Sequence, residues 1–273
     1  MLWRYPKTSI SVATAVGAFT IYRAWTLASG AADTERVGYA PLATLKPIYE
    51  GLWIVDDVMS ASGLAMSIRM TVLRLANGDV LLYSPTPYNG ALAKAIETIG
   101  TVRYLIAPTF AHWTHLAEWQ DAYPDAKTWG VPGLRDRSQV IHSDVHIDMD
   151  LPSVAPPPWR AEITMDLIAG AGGFCECYFF HEASRTLLLC DLIQNLRPRK
   201  LPPFTRFIAK AFLGTRATTA LHVRATLLAG GKEAKQAVAA MVALEPDRVI
   251  FAHGDPFEED AAQRLREAFA WLV

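Results

Sequence analysis

Hydrophobic and polar positions change period along the chain, and the changes mark its elements. RMTVLRLANGDVLLYSP (residues 69–85) reads as two β runs joined over residues 76–79, since Asn77 and Gly78 both tolerate positive φ. NGALAKAIETIG (89–100) has helical spacing and halts at Gly100. VRYLIAP (102–108) is a short continuous apolar run that predicts a buried strand. THLAEWQDAYP (114–124) predicts a short helix stopped by Pro124, and AKTWGVPGL (126–134) a further strand and turn. SQVIHSDVHIDMD (138–150) alternates strictly and predicts a strand with Ile141, Val145, Ile147 and Met149 on one face. His142, Asp144, His146, Asp148 and Asp150 share the other face, and the proline-rich stretch 151–159 reads as a loop.

AEITMDLIAGAGG (161–173), CECYFFHE (175–182) and RTLLLCDL (185–192) predict three strands, the last two joined by a turn at 182–184. Residues 196–245 are mostly helical in pattern, DRVIFAHGD (247–255) is a final strand, and residues 258–273 form an amphipathic closing helix. Strands in both halves, with helices between and after them, predict one α/β sandwich domain over residues 45–273. Residues 1–44 stand apart. Arg4 and Lys7 precede an apolar stretch at 10–22, small residues follow at 28–32, and Arg23 breaks the run below the length of a spanning helix. This segment is a signal peptide or anchor, or else an amphipathic helix packed on the domain or lying on a membrane. The first case makes the protein membrane-associated or exported, and otherwise it is cytoplasmic.

Composition narrows the function classes. Of 273 residues, 51% are hydrophobic and 19% charged, enough for a sizeable core. The net charge of −1 and the lack of an aromatic-basic motif argue against a nucleic-acid partner. Cys175 and Cys177 alternate in one run and sit badly for a mutual bridge, so no disulfide framework is expected. Residues 196–232 hold eight Lys/Arg and no Asp or Glu, interleaved with Phe204, Phe207, Ile208, Phe212 and Leu213. This pattern fits a solvated helix face with its apolar stripe in the core. It also fits contact with an acidic substrate, or with an anionic membrane surface, made together with the N-terminus. There is no G-x-S-x-G elbow and no cysteine beside a histidine in sequence, so nucleophilic catalysis finds little support. His181, at the 182–184 turn, is expected to be exposed, and the GAGG at 170–173 to be a tight turn.

Three segments share one grammar. VRYLIAPTFAHWTH is a buried strand leading to His112 and His115, RTLLLCD one ending in Asp191, and DRVIFAHGD one ending in His253 with Gly254 to turn the backbone. Ligands gather at the carboxyl ends of strands in α/β folds. Imidazole and carboxylate suit Zn²⁺ or Fe²⁺. If His112 and His115 share the first turn of the following helix, their i, i+3 spacing aims both rings at one point. The His142–Asp150 face offers similar residue types, but with no distant partner it reads as a solvated edge.

These segments resemble the metallo-β-lactamase superfamily, whose metal motif is H-x-H-x-D-H followed later by His, Asp and His at strand ends. On FAHWTH the second histidine falls on His112 and the last on His115, while the late aspartate falls on Asp191 and the final histidine on His253. Residues 69–85, 100–108, 122–134, 184–195 and 247–256 together resemble a branch known as a domain of unknown function, over about 52–271. The resemblance implies a four-layer αββα sandwich. Phe110 and Thr114 stand at the first histidine and the aspartate, and the middle histidine is lost in GAGG. A dinuclear site is therefore not expected. One divalent metal, Zn or Fe, is expected on His112, His115, Asp191 and His253, or on the last three if His112 stays unbound. Glu176 is either a substitute ligand near the lost histidine or a strand-face salt-bridge partner. The implied activity is metal-dependent hydrolysis of a small-molecule ester, amide, thioester or phosphoester, with Asp191 orienting the attacking water. The rival is a catalytically silent scaffold that binds a small molecule or a membrane partner.

Overall fold

Two antiparallel runs of β-branched and aromatic residues open the fold. The computed structural model describes residues 34–61 and 63–273. After a short helix α1 (Thr34–Val37) come β1 (Lys46–Tyr49), β2 (Leu52–Ala61), β3 (Leu64–Arg74) and β4 (Asp79–Tyr83). β3 and β4 pair antiparallel through a tight connection in which Gly78 takes φ +87°, as the Asn-Gly signal predicts. Then follow α2 (Gly90–Glu97), β5 (Thr101–Ala107), α3 (Leu116–Ala122), β6 (Lys127–Gly130), α4 (Ser138–Ile141) and β7 (Met149–Asp150). Among the described residues, β1 to β7 form one sheet in chain order, antiparallel up to β4 and parallel from β4 to β7.

The second half supplies β8 (Ile163–Ala169), β9 (Cys175–His181), β10 (Thr186–Leu188) and β11 (Gln194–Asn195). Helices α5 (Pro203–Ala211), α6 (Leu221–Ala229) and α7 (Gly231–Val242) precede β12 (Arg248–Ile250), β13 (His253–Gly254) and α8 (Ala261–Phe269). A second sheet has the order β12-β10-β9-β8, and β11 pairs with β13 in parallel. The alternation of side chains along β9 shows how the layers stack. Cys175, Cys177 and Phe179 point into the core shared with Val72, Leu82 and Leu105 of the first sheet. Tyr178 and Phe180 point the other way, onto Val223 and Leu227 of α6, Val238 of α7 and Leu265 of α8. A strand covered on both faces is expected to be continuously apolar, and β9 is nearly so. Leu92 and Ile96 of α2 and Trp119 of α3 cover the first sheet. The result is the αββα sandwich.

Polar groups also tie the sheets together. Asp56 and Arg69 face each other across β2 and β3 and form a buried ion pair at 2.7 Å, with Lys46 2.8 Å from the same carboxylate. Tyr83 donates its hydroxyl to the carbonyl of Cys177 at 2.8 Å, across the gap between sheets.

Three readings of the sequence need correction. The 138–150 segment is not one strand. The Arg137 carbonyl accepts from the amides of Val140 and Ile141, which closes a helical turn, and Ile141 is exposed. Val145 and Ile147 are buried between exposed neighbours, but pairing with β6 is confined to the end of the segment, where the Asp148 amide donates to the Thr128 carbonyl and the Thr128 amide to the Asp148 side chain. The final strand breaks between Ile250 and His253, because the carbonyls of Phe251 and Gly254 both turn to the Arg69 guanidinium at 2.9 Å. His181 is buried, not exposed, and its Nδ1 lies 2.7 Å from the Ser184 hydroxyl. The expected signal, anchor or surface helix falls mainly on residues outside those described. Among the described residues no helix is long and apolar enough to cross a membrane.

Candidate metal centre

Three chain segments separated by long stretches of sequence converge at one end of the sandwich. His112 follows β5, Asp191 follows β10, and His253 opens β13. One ligand atom from each lies within 4.8 Å of the others, the one such group of His, Cys, Asp or Glu among the described residues. His112 Nε2 and His253 Nε2 each lie 3.4 Å from Asp191 Oδ1. The ring centres are 5.3 Å apart.

The far nitrogens decide what these rings can do. His253 Nδ1 sits 2.8 Å from the Ser67 carbonyl, which can only accept, so Nδ1 carries the proton. His112 Nδ1 lies 2.7 Å from Ser84 Oγ, whose own hydrogen points to the Arg69 carbonyl at 3.4 Å. In that arrangement the serine accepts from the imidazole. With both rings neutral in this tautomer, each Nε2 presents a lone pair towards the carboxylate oxygen. Three electron-rich atoms facing one another call for a positive centre between them. Separations of 3.4 Å exceed the ~2.7–2.9 Å of charge-assisted hydrogen bonds. They match the roughly 3.3 Å edge of a tetrahedron with metal–ligand bonds of about 2.0–2.1 Å. The donor set fits one divalent ion.

Local sequence chemistry fixes each ligand. Thr109 Oγ1 accepts from the amides of Ala111 and His112, which shapes the turn after β5, and donates to Asp191 Oδ2 at 3.0 Å. Gly254 turns the chain at φ +102°, and a Cβ there would run into the Asn195 carbonyl, so β13 can lie against β11 only with glycine.

Glu176 is neither a ligand nor a salt-bridge partner. Its fully buried carboxylate accepts the amides of Cys190, Asp191 and Leu192 at 2.7–2.9 Å, and so pins the turn that carries Asp191. Burial and then the charge of Asp191 push its pKa up to about 8, against those three amides. Thr109, Ser67, Ser84 and Arg69 are supports that the sequence reading did not single out. Only the Pro-Thr step between strand and histidine gave a local hint, since a threonine there can bond amides two and three residues on.

His115 does not join the group. Residues 112–115 form a turn, and α3 begins at Leu116 with His115 at its cap position, so the helical i, i+3 geometry that would align the rings is absent. Its Nε2 is buried without a hydrogen-bond partner among the described residues. Burial, and then the neighbouring His112, lowers its pKa. The reduced set is therefore His112, Asp191 and His253, with His115 the one left out. His142 and His146 remain exposed, at the Ser138 carbonyl and near Asp148.

The group is nearly enclosed. His112 and His253 are buried, and only the Asp191 side chain, 18% exposed, reaches a cavity of about 330 Å³. Phe110, at the position of the first motif histidine, lines that cavity and carries the Arg137 guanidinium over its ring at 4.3 Å. Cys175 also lines it; all three cysteines are free.

Comparison with solved structures gives the same fold at low identity. DIM-1 metallo-β-lactamase exposed to ceftazidime superposes with a TM-score of 0.59 at 12% identity, covering 86% of this chain and 100% of the other. A metallo-β-lactamase from Pontibacter korlensis gives 0.59 at 10% identity, over 83% and 98%. FIM-1 from Pseudomonas aeruginosa in its mono-zinc form gives 0.58 at 15%, over 84% and 93%. No curated protein shows a significant sequence match. The fold is thus that of the metallo-β-lactamases. A family model covers residues 49–239, most of the folded part, and the chain belongs to the family described as Domain of unknown function (DUF4336).

Proposed function

We propose that the protein is a mononuclear metal-dependent hydrolase of a small organic ester, amide, thioester or phosphoester. The observation that carries the reading is the convergence of two Nε2 lone pairs on Asp191 Oδ1, with both Nδ1 atoms committed elsewhere. His112, Asp191 and His253 would hold the ion, and zinc or ferrous iron suits the donors. A bound ion of this kind supplies Lewis-acid polarisation and makes water acidic enough to act near neutral pH. The chain's own part is orientation. Ser84 and Ser67 keep the imidazoles in the ligating tautomer, and Glu176 and Thr109 hold Asp191 from two sides. Asp191 lines the cavity, and its Oδ2, steadied by Thr109, would orient an incoming water.

The test is elemental analysis of protein purified without a metal-affinity step, followed by turnover of an ester and thioester panel. About one equivalent of zinc or iron is expected, with metal and turnover both lost in His253→Ala. Stoichiometric metal without turnover would favour the rival, a silent binding scaffold.

A second reading concerns location. Phe207, Phe212, Leu221 and Leu228 are exposed on and around α5 and α6, amid exposed Arg199, Arg206, Lys210 and Arg216, with no acid in residues 196–232. That combination suits docking on an anionic lipid surface. Flotation with phosphatidylserine-containing vesicles should recover the protein, and Phe207→Ser with Lys210→Glu should abolish recovery. Equal recovery of the variant would end this reading.

A further inference from the structure

A second cavity, of about 440 Å³, lies beside the first, and Phe110, Ala111 and Arg137 belong to the walls of both. The two cavities otherwise offer apolar and uncharged polar groups, among them Phe174, Val223, Met59 and Trp113, with one imidazole in each, His222 and His115. Asp191 and Arg137 are the acid and the cation of these walls, and their situations differ. Asp191 is engaged by two imidazoles and by Thr109. The Arg137 guanidinium has no ion pair and no hydrogen bond among the described residues, and its contact is the face of Phe110 at 4.3 Å. Stacking uses the face of the guanidinium and leaves its N–H edge free to meet a planar pair of oxygens. Arg135, two residues earlier, is tied to Asp150 at 2.9 Å, whereas Arg137 forms no ion pair even with the adjacent, exposed Asp136. The first cavity also stays open at Gly172 and Gly173, where nothing lies within 4 Å of an added Cβ.

We propose that Arg137 anchors the ligand. Its guanidinium binds a carboxylate or phosphoryl group of a small organic anion whose apolar body lies against Phe110 and whose reacting bond extends to Asp191. The last clause rests on the hydrolase reading. The anion site itself does not. The ligand class is thus an anionic small molecule with an apolar portion, and a neutral analogue of the same shape should bind poorly because it leaves the cation unmatched.

The experiment titrates phenylphosphonate into full-length, chelator-treated protein, by calorimetry and by amide chemical shifts. Removing metal beforehand keeps the phosphonate from reporting on the ion. Binding is expected to shift the Ala111 amide, to weaken about tenfold or more in Arg137→Ala, and to recover in part in Arg137→Lys. Acetophenone, apolar and uncharged, should show no saturable binding. Because Arg137 is half-buried and makes no side-chain hydrogen bond, the variants should melt like the parent, which separates lost contact from lost fold. Undiminished affinity in Arg137→Ala, or no binding to the parent, overturns the proposal. Arg137-dependent binding, with no turnover of any ester or thioester by the metal-loaded protein, would sink the hydrolase reading and leave the anion site standing.

Discussion

Two regions of this molecule are rich in histidine and aspartate, and they end up doing opposite things. His142, Asp144, His146, Asp148 and Asp150 are packed within nine positions, yet none of them enters a metal-binding group among the described residues. His112, Asp191 and His253 are spread over more than half the chain, yet their ligand atoms meet within 4.8 Å. The dense cluster lies outward over buried Val145 and Ile147, where its groups face solvent or take separate partners, Asp148 the Thr128 amide and Asp150 the Arg135 guanidinium. The sparse set sits at strand ends that the sandwich brings together. Density along the chain says little about a site. Shared direction in space, with the far atoms already committed, says much more.

Substitutions can push on this contrast. The largest effect is expected from removing the support beneath the convergent group. Arg69→Ala leaves buried Asp56 with Lys46 as its remaining cation and frees two carbonyls beside His253, and should cost ~3–5 kcal/mol by urea denaturation. The matching change in the other region, Arg135→Ala, breaks an exposed pair and should cost under ~1 kcal/mol. Comparable losses would mean that the two regions are not distinguished by burial. Next, Asp191→Asn should abolish stoichiometric zinc in dialysis, whereas a His142→Ala, His146→Ala double variant should keep it. Retained zinc in the first protein would show that the ion sits elsewhere. Ser84→Ala, which removes only the partner of His112 Nδ1, should weaken zinc by about 10–100-fold in a competition titration. His115→Ala should leave zinc affinity unchanged. The smallest effect is a pH slope. Burial lowers the His181 pKa, so the folded state binds fewer protons than the unfolded chain just below pH 6.5. Its stabilising contribution is full above the unfolded pKa and is lost as pH falls through the folded pKa. His181→Gln should flatten that part of the melting-temperature profile between about pH 7 and 5.

The hairpin at Asn77-Gly78, the helix capped at Asn89 and the buried strand of residues 101–107 were legible because local chemistry alone specifies them. The resemblance to metallo-β-lactamases was legible in the order of short motifs, and it pointed to His112, His115, Asp191 and His253, of which the fold brings the first, third and fourth together. Where the reading failed, a distant group had intervened. His115 drops out because Thr109 shapes the preceding turn, and the last strand breaks because Arg69, far back in the chain, claims its carbonyls. Glu176 illustrates the same limit. An acid in an apolar run has no meaning until the three amides it holds are in view.

The order of strands, the apolar faces and the residue types at strand ends were set by the sequence itself, since each follows from periodicity and turn chemistry over a few residues. Which two histidines face one carboxylate, which nitrogen of each ring stays free, and that Arg137 stands over Phe110 between two cavities were decided only by the tertiary structure. Those properties depend on angles and distances between atoms remote in the chain, and no local pattern encodes them.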